Sequence, residues 1–512
     1  MTKIVLTDEQ KDAIYTRNKN IIVSAAAGSG KTKVLVDRVI ALMLEEKISI
    51  KEMIIVTFTN KASVDMKNKI RKKLTDLMQE STDDREFLKE QIRSINDAYI
   101  KTLHAFCADM LRENFYMADD LSPSFKIASS SKNALLEEDS INELFEINYE
   151  KGLDSFELFL HNFASLEDDK NAKDLILKLY KFMVARVNPH DWLDYFVDHE
   201  FDYSLAKKYI KNELEKIIKE AYRVLDFTYD NFMDQKYSEC IRADIDYLES
   251  LANKIYDLDW DSLIKEGGHK FKQKPSIKKD EDDPDLDKKF KDLRENYKDD
   301  FKKLFKFTIN SDSITRGFFD PVEKNILKEL KRLVLDFEKI YKDKKRDENY
   351  LDFADMEHEF IRLLENDDLV KKLKKDFKYI FFDEYQDSND TQNYIVDKLK
   401  KKDNLFFVGD VKQSIYGFRN ARPELFIKKL KDYENDENSL RINLSKNFRT
   451  DKDVIFFNNF IFDRLMNKED ADIDYKNDGH RLNPDKDFDI KNPKVRLNIL
   501  DNDVNEDEYI VK

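Results

Sequence analysis

The residues best able to do chemistry lie in two stretches far apart in the chain. The first is AAAGSGKT, Ala25 to Thr32, which follows the apolar run NIIVS and leads into the helical pattern Val34, Leu35, Arg38, Val39. Glycines at 28 and 30 let backbone N–H groups close around anionic oxygens, and the helix that follows aims its N-terminus at the same point. Ala25, Ala26, Ala27, Gly28, Ser29 and Gly30 thus form the expected phosphate cradle, with Ala25 where such loops usually begin on glycine. Lys31 would sit on the β and γ phosphates of a nucleoside triphosphate, and the Thr32 hydroxyl would ligate Mg²⁺. Phosphoryl transfer also needs a second magnesium ligand and a group to orient water. The second stretch, YIFFDEYQDSN from Tyr379 to Asn389, offers both. Asp383 suits the metal and Glu384 the water, because both directly follow the apolar run Ile380-Phe381-Phe382, as a strand end would place them. ATP and Mg²⁺ are the expected ligands.

Positioning these groups requires strands. Short apolar runs occur at Ile21–Val23, Ile54–Thr57 and Tyr99–Ile100, then again at Tyr379–Phe382, Leu405–Val408 and Leu440–Leu444. Each is followed by a polar turn and usually by a helical pattern, such as Ala62, Met66, Ile70 and Leu74 stacked by fours. Alternation of this kind predicts an α/β fold with a parallel sheet whose functional loops lie at the carboxyl ends of the strands. From 116 to 345 strand runs are scarce and helical spacing prevails, as in Leu214, Ile217, Ile218, Ala221 and Leu225. That region reads as a helical domain inserted between 1–115 and 346–435. Within it Lys265 to Lys303 is of mixed charge and contains Gly267, Gly268, Pro275 and Pro284, which predicts a solvated excursion.

Composition bounds the rest. The chain has 512 residues but only 9 Gly and 8 Pro, against roughly 60 at average usage. Hairpin-dense all-β folds consume glycine, so long helices with few turns are favoured. A net charge of −15 argues against indiscriminate coating of nucleic acid, although a local basic groove remains compatible with it. Cys107 and Cys240 share no metal-type spacing. A reducing cytoplasm fits, and no run approaches the roughly 20 apolar residues of a membrane span.

Further motifs carry a resemblance. LTDEQKDAI, AAAGSGKT, VTFTNKA, TLHAFC, DEYQD, VGDVKQSIYGFR and LSKNFRT follow one another in order, and together they resemble the UvrD/Rep-like branch of superfamily 1 DNA helicases. The flanks TLHAFCADMLREN, SPSFKIASSS and LDFADMEHEFIRLL are most similar to AddA-type subunits of bacterial AddAB helicase–nucleases. The resemblance implies a P-loop, RecA-like ATPase domain and the start of a second RecA-like domain at 436–512. It also implies roles position by position. Gln10 would read the adenine edge and Phe448 stack on the base. Lys33 stands where relatives often have Arg. Gln413 would sense the γ phosphate, and Arg449 would act as an arginine finger. Phe58, His104, Tyr416 and Phe418 match positions that contact single-stranded DNA, where aromatic faces accept any base. The basic run Lys61, Lys67, Lys69, Arg71, Lys72 and Lys73 adds local positive charge. The implied activity is 3′ to 5′ DNA translocation in a complex with an AddB-type partner that processes double-strand breaks for recombinational repair; the alternatives are a repair helicase without nuclease and a P-loop ATPase with a partner other than nucleic acid.

The later helicase motifs and a nuclease domain are not found before Lys512, which reads as an N-terminal fragment or a truncated reading frame. The expected outcome is that the isolated 512 residues bind ATP weakly and do not unwind duplex DNA. A strand-separation assay checks this, and sustained unwinding would overturn it.

Overall fold

A strand covered on both faces needs an unbroken apolar run, and such runs form the centre of a six-stranded sheet in the computed structural model. The structure describes residues 6–80, 84–118, 121–165, 167–198, 204–232, 235–275, 284–310, 321–417, 420–467 and 473–485. Counting only the strands of the main sheet, they are β1 (Asn20–Ala25), β2 (Met53–Val56), β3 (Tyr99–Lys101), β4 (Tyr379–Phe382), β5 (Leu405–Gly409) and β6 (Ser439–Leu444). Their order is β3-β2-β4-β5-β1-β6, and every pairing is parallel. All six runs read from the sequence are therefore strands of one sheet.

Side chains alternate across the sheet and build a core on each face. Ile21, Val23, Ile55, Phe381, Phe406 and Val408 join one core. Ile22, Ile54, Val56, Phe382 and Phe407 join the other, with Phe106, Phe360 and Phe426 packed over them. Two helices matter for the site: α1 (Asp8–Tyr15) precedes β1, and α2 (Lys31–Glu46) follows it. Helix α2 is buried at Val34, Leu35, Val39, Leu42 and Met43, so its position on the sheet is set by packing.

Strand β6 corrects one expected boundary. It pairs with β1 along its whole length, from Asn20 opposite Ser439 to Ala25 opposite Leu444. The sheet therefore runs past residue 436, where a separate domain was expected to start. The physical reason is that an edge strand looks the same in sequence whichever sheet it joins, and β6 has the alternating partial burial of an edge.

The chain forms two compact units. The first comprises Met1–Glu143, Leu177–Pro189 and Glu338–Lys512, and the second Leu144–Ile176 and His190–Phe337. The second unit is helical but narrower than the expected 116–345. Phe125 belongs to the core against the sheet, and Lys126–Ile127 pairs in parallel with Tyr350–Leu351. Nor is Lys265 to Lys303 a solvated excursion where it is described. Pro284–Asn310 is a helix whose Phe290, Tyr297 and Phe301 are buried against Ser204–Asn231 and Gln235–Lys254. Its high charge hid an apolar stripe. Among the described residues no helix is long and apolar enough to cross a membrane.

One buried ion pair lies inside the second unit. Arg294 Nε and Nη2 donate to Asp244 at 2.8 and 3.0 Å, and the Tyr297 hydroxyl donates to the same carboxylate at 2.6 Å. Asp244→Ala leaves that guanidinium buried without its counter-charge and should destabilise the unit by about 3–5 kcal/mol. Hydrogen exchange along Gln235–Lys254 checks this; protection unchanged from wild type would contradict it.

Candidate nucleotide and nucleic-acid site

Because all six strands run the same way, the loops that follow them emerge at one edge of the sheet. The loop after β1 is shaped by its carbonyls. Ala26 O accepts from Ser29 N and Oγ at 3.2 and 2.7 Å, Ala27 O from Asn447 Nδ2 at 2.7 Å, Gly28 O from Phe448 N at 3.0 Å and Ser29 O from Gln10 Nε2 at 3.1 Å. With these carbonyls engaged by protein donors, the amide N–H groups other than those of Ala26 and Ser29, which bond Leu444 O and Ala26 O, are what the loop offers to a ligand. Gly28 and Gly30 have φ values of 77° and 91°, in the left-handed region that favours glycine. A Cβ on Gly28 would come within 2.9 Å of Asn447 Nδ2 and 3.0 Å of Arg449 Cβ. Helix α2 begins with no side-chain cap and no acid in its first turn, so its N-terminal dipole is left for an anion.

Lys31 projects from this loop to Glu384, with Nζ 2.9 Å from Oε2. Glu384 follows β4 in a left-handed conformation, φ 55° and ψ 44°, which costs a non-glycine residue about 1–3 kcal/mol. Its neighbour Asp383 is buried, and its amide donates to Val56 O at 2.9 Å. Burial, then the Glu384 charge, push the Asp383 carboxyl up to about 6 against the pull of Lys31 and Lys69. Asp387 is likewise pushed up to about 6, by burial first and Glu384 second. A buried carboxylate beside a second one is a group that a divalent cation would relieve, so Asp383 with the Thr32 hydroxyl fits a hard, oxygen-seeking ion such as Mg²⁺.

Gln386 joins this acidic centre to the loop after β5. Its Nε2 donates to Glu384 Oε2 at 3.0 Å and to Asp387 Oδ2 at 3.1 Å, while its Oε1 accepts from Asp410 N at 2.9 Å. Asp410 in turn holds Gln413 Nε2 at 2.8 Å and Lys412 Nζ at 2.7 Å. A Cβ on Gly409 would lie 2.6 Å from Gln386 Oε1, so only glycine lets the amide approach.

Gln10 and Phe448 line one recess with Thr7, Glu9, Ser29, Leu444, Ser445 and Lys446. Phe448 is 42% exposed there. Arg449 is exposed, and its amide donates to Asn447 Oδ1 at 2.9 Å. Lys33 does not join the recess: its ammonium pairs with Asp37 at 2.9 Å, one turn along α2. Ala25 is the last residue of β1.

Of the residues expected to meet nucleic acid, Phe58 and Tyr416 come together, their ring centroids 4.7 Å apart. His104 bonds the buried Glu357 at 3.0 Å through Nε2 and packs on the exposed Phe353, with centroids 4.5 Å apart. Phe418 lies outside the described residues. The basic run is partly spoken for, since Lys73 pairs with Asp37, Lys67 donates to Asn96 O and Arg71 to Asn96 Oδ1. Sequence reasoning missed Gln386 and Asn447. Both lie inside the quoted motifs, but residue type does not reveal that their amides are buried and bridge two loops.

A parallel sheet carrying a glycine loop, an uncapped helix start and an acid pair at its carboxyl edge defines a helicase-type α/β domain. Residues 6–434 match the UvrD/REP helicase N-terminal domain, and the chain belongs to that family. It is similar to the A subunit of the ATP-dependent helicase/nuclease of Alkaliphilus oremlandii (strain OhILAs), 35% identical over 98% of this chain and 43% of the relative. The proteins of the same name from Alkaliphilus metalliredigens (strain QYMF) and Staphylococcus haemolyticus (strain JCSC1435) are 34% and 33% identical over 98% and 99% of this chain, and again 43% of each relative. The chain thus spans about two-fifths of the length of these relatives. Membership of a helicase family implies use of ATP with a divalent metal.

Asp383 gives a signed test. Its folded value near 6 lies above the ordinary 3.8, so its contribution to stability declines as pH rises between those values and the full penalty is present at pH 7. Asp383→Asn should therefore stabilise the metal-free protein at pH 7, by up to about 3 kcal/mol. The gain should disappear at pH 4, and stabilisation by Mg²⁺ with nucleotide should be lost. Thermal melts at the two pH values check this; a less stable Asn variant at pH 7 would contradict it.

Proposed function

We propose that the chain supplies the ATP-driven part of a DNA helicase motor, within a helicase/nuclease subunit that processes broken duplex ends for recombinational repair. The observation that carries this reading is the polar path from Lys31 through Glu384, Gln386 and Asp410 to Gln413. It ends three residues before Tyr416, which pairs with Phe58. A motor needs its nucleotide site joined to its grip on the strand, and this path runs from one candidate site to the other.

In this reading the sheet is a RecA-like P-loop core and the helical unit is an insertion within it. The triphosphate docks on the loop amides, with the base held between Gln10 and Phe448. Its β and γ oxygens compete with Glu384 for Lys31. Glu384, released from that ion pair, can orient the attacking water. Thr32 and Asp383 would hold Mg²⁺, which would neutralise the phosphate oxygens. Arg449, beside Gly28, stabilises charge that grows in the transition state, an effect worth about 10³–10⁵-fold in related chemistry. Gln413 leaves Asp410 to sense the γ phosphate, which moves the loop that carries Tyr416. Phe58, Tyr416 and His104 stack on or flank a single strand, and Phe418 is assigned there by the family resemblance alone. The partner is a second protein of AddB type, and the setting is the cytoplasm.

ATP turnover with and without single-stranded DNA, at two salt concentrations, tests the reading. DNA should stimulate turnover, and less so at high salt. Lys31→Ala should abolish it, and Glu384→Gln should keep nucleotide binding while slowing hydrolysis at least about 10²-fold. Turnover indifferent to DNA would remove the motor reading, and undiminished hydrolysis in Glu384→Gln would remove the assignment of that residue.

A further inference from the structure

Arg38 is an unusual buried cation. It lies on α2 at 1% exposure, and its hydrogen-bonded partners are backbone carbonyls. Nη1 donates to Ala13 O at 2.9 Å, Ile14 O at 3.4 Å and Thr16 O at 2.9 Å, while the guanidinium stands 5.0 Å over the Phe406 ring. Burial pushes its pKa down to about 10, with Arg17 adding to the effect. A buried charge held by carbonyls is costly, so the position calls for a reason other than packing.

The carbonyls it binds close the C-terminal end of α1. That helix has eight residues and no basic side chain in its last turn; just beyond it Arg17 shares the carbonyls of Ile14 and Thr16, at 2.9 and 3.3 Å, and leaves that of Ala13 to Arg38. A helix so short is marginal alone and takes its position from tertiary contacts. At its other end Thr7 and Gln10 form a capping box, and Gln10 reaches Ser29 O. Arg38 on α2 and the loop before α2 therefore hold α1 from both ends.

The consequence falls on the Gln10 amide. Nε2 gives one hydrogen to Ser29 O, and Oε1 accepts one from Thr7 N at 3.2 Å. One donor and one acceptor remain. Such a pair matches an adenine edge, which offers a donor beside an acceptor, and mismatches guanine, whose equivalent edge offers two acceptors. Discrimination of this kind depends on the height and tilt of α1 over the loop.

We propose that Arg38 is a positioning residue for base selection: by clamping the C-terminal carbonyls of α1 onto α2, it sets the orientation in which Gln10 meets the nucleobase. This rests on the reading that Gln10 faces the base. Arg38 does not touch nucleotide, and its effect passes through α1.

A double-mutant cycle tests it, using binding of N-methylanthraniloyl ATP and GTP to the whole chain, with thermal melts to establish folding. Wild type should prefer the ATP probe. Gln10→Ala should collapse the ATP-to-GTP affinity ratio. Arg38→Lys, whose shorter stem stops short of the point where Nη1 meets the three carbonyls, should shrink that ratio about tenfold while leaving GTP affinity unchanged, and should change it no further in a Gln10→Ala background. If the Lys variant does not fold, Arg38→Gln, which directs one donor to the carbonyls without a charge, takes its place. Equal weakening of both probes, or an undiminished effect of Arg38 in the Gln10→Ala background, overturns the positioning role alone. A ratio untouched by Gln10→Ala, or absent from wild type, overturns the reading of Gln10 and the inference with it.

Discussion

The common direction of six strands is the constraint on which everything else rests. A parallel ladder brings each strand's following loop to the same edge, however distant the strands are in sequence. Lys31 and Glu384 are 353 positions apart yet within 2.9 Å, because β1 and β4 both flank β5 and point the same way. No local sequence signal could have brought those side chains together. Burial of apolar runs on both faces then fixes register, since a slip by one residue would turn each strand's core side chains to the wrong face.

On that frame the phosphate loop is shaped by subtraction. Its carbonyls are claimed by Gln10, Phe448, Asn447 and the loop itself, so what remains to face a ligand is N–H. The acid pair is arranged against its own comfort, with a left-handed Glu384 and a buried Asp383. Strain and desolvation stored together at a strand end are the mark of a site shaped for a ligand rather than for stability.

What was legible in the sequence follows from these causes. The strands could be read because burial on two faces writes itself as an apolar run, and the glycine loop because backbone geometry demands a residue type. Gln386, Asn447 and Arg38 could not, because their importance lies in burial and in partners on distant segments. Pro284–Asn310 escaped recognition because charge on a solvent face outnumbers the apolar stripe beneath it. His104 matches a family position that contacts nucleic acid, and its ring is also bonded to Glu357 on a helix from the far half of the chain. That pairing is purely tertiary, and no spacing in the sequence could expose it.

Among the described residues strand β6 closes one side of the sheet, and the outer backbone groups of an edge strand are a template that another extended chain could extend. The strand carries its own guard. Arg441 places a charge in the middle of it, tied to Glu434 at 3.1 Å and to Asp478 O at 2.7 Å. The strand that leads into Phe448 thereby carries a charge of the kind that discourages pairing with another extended chain.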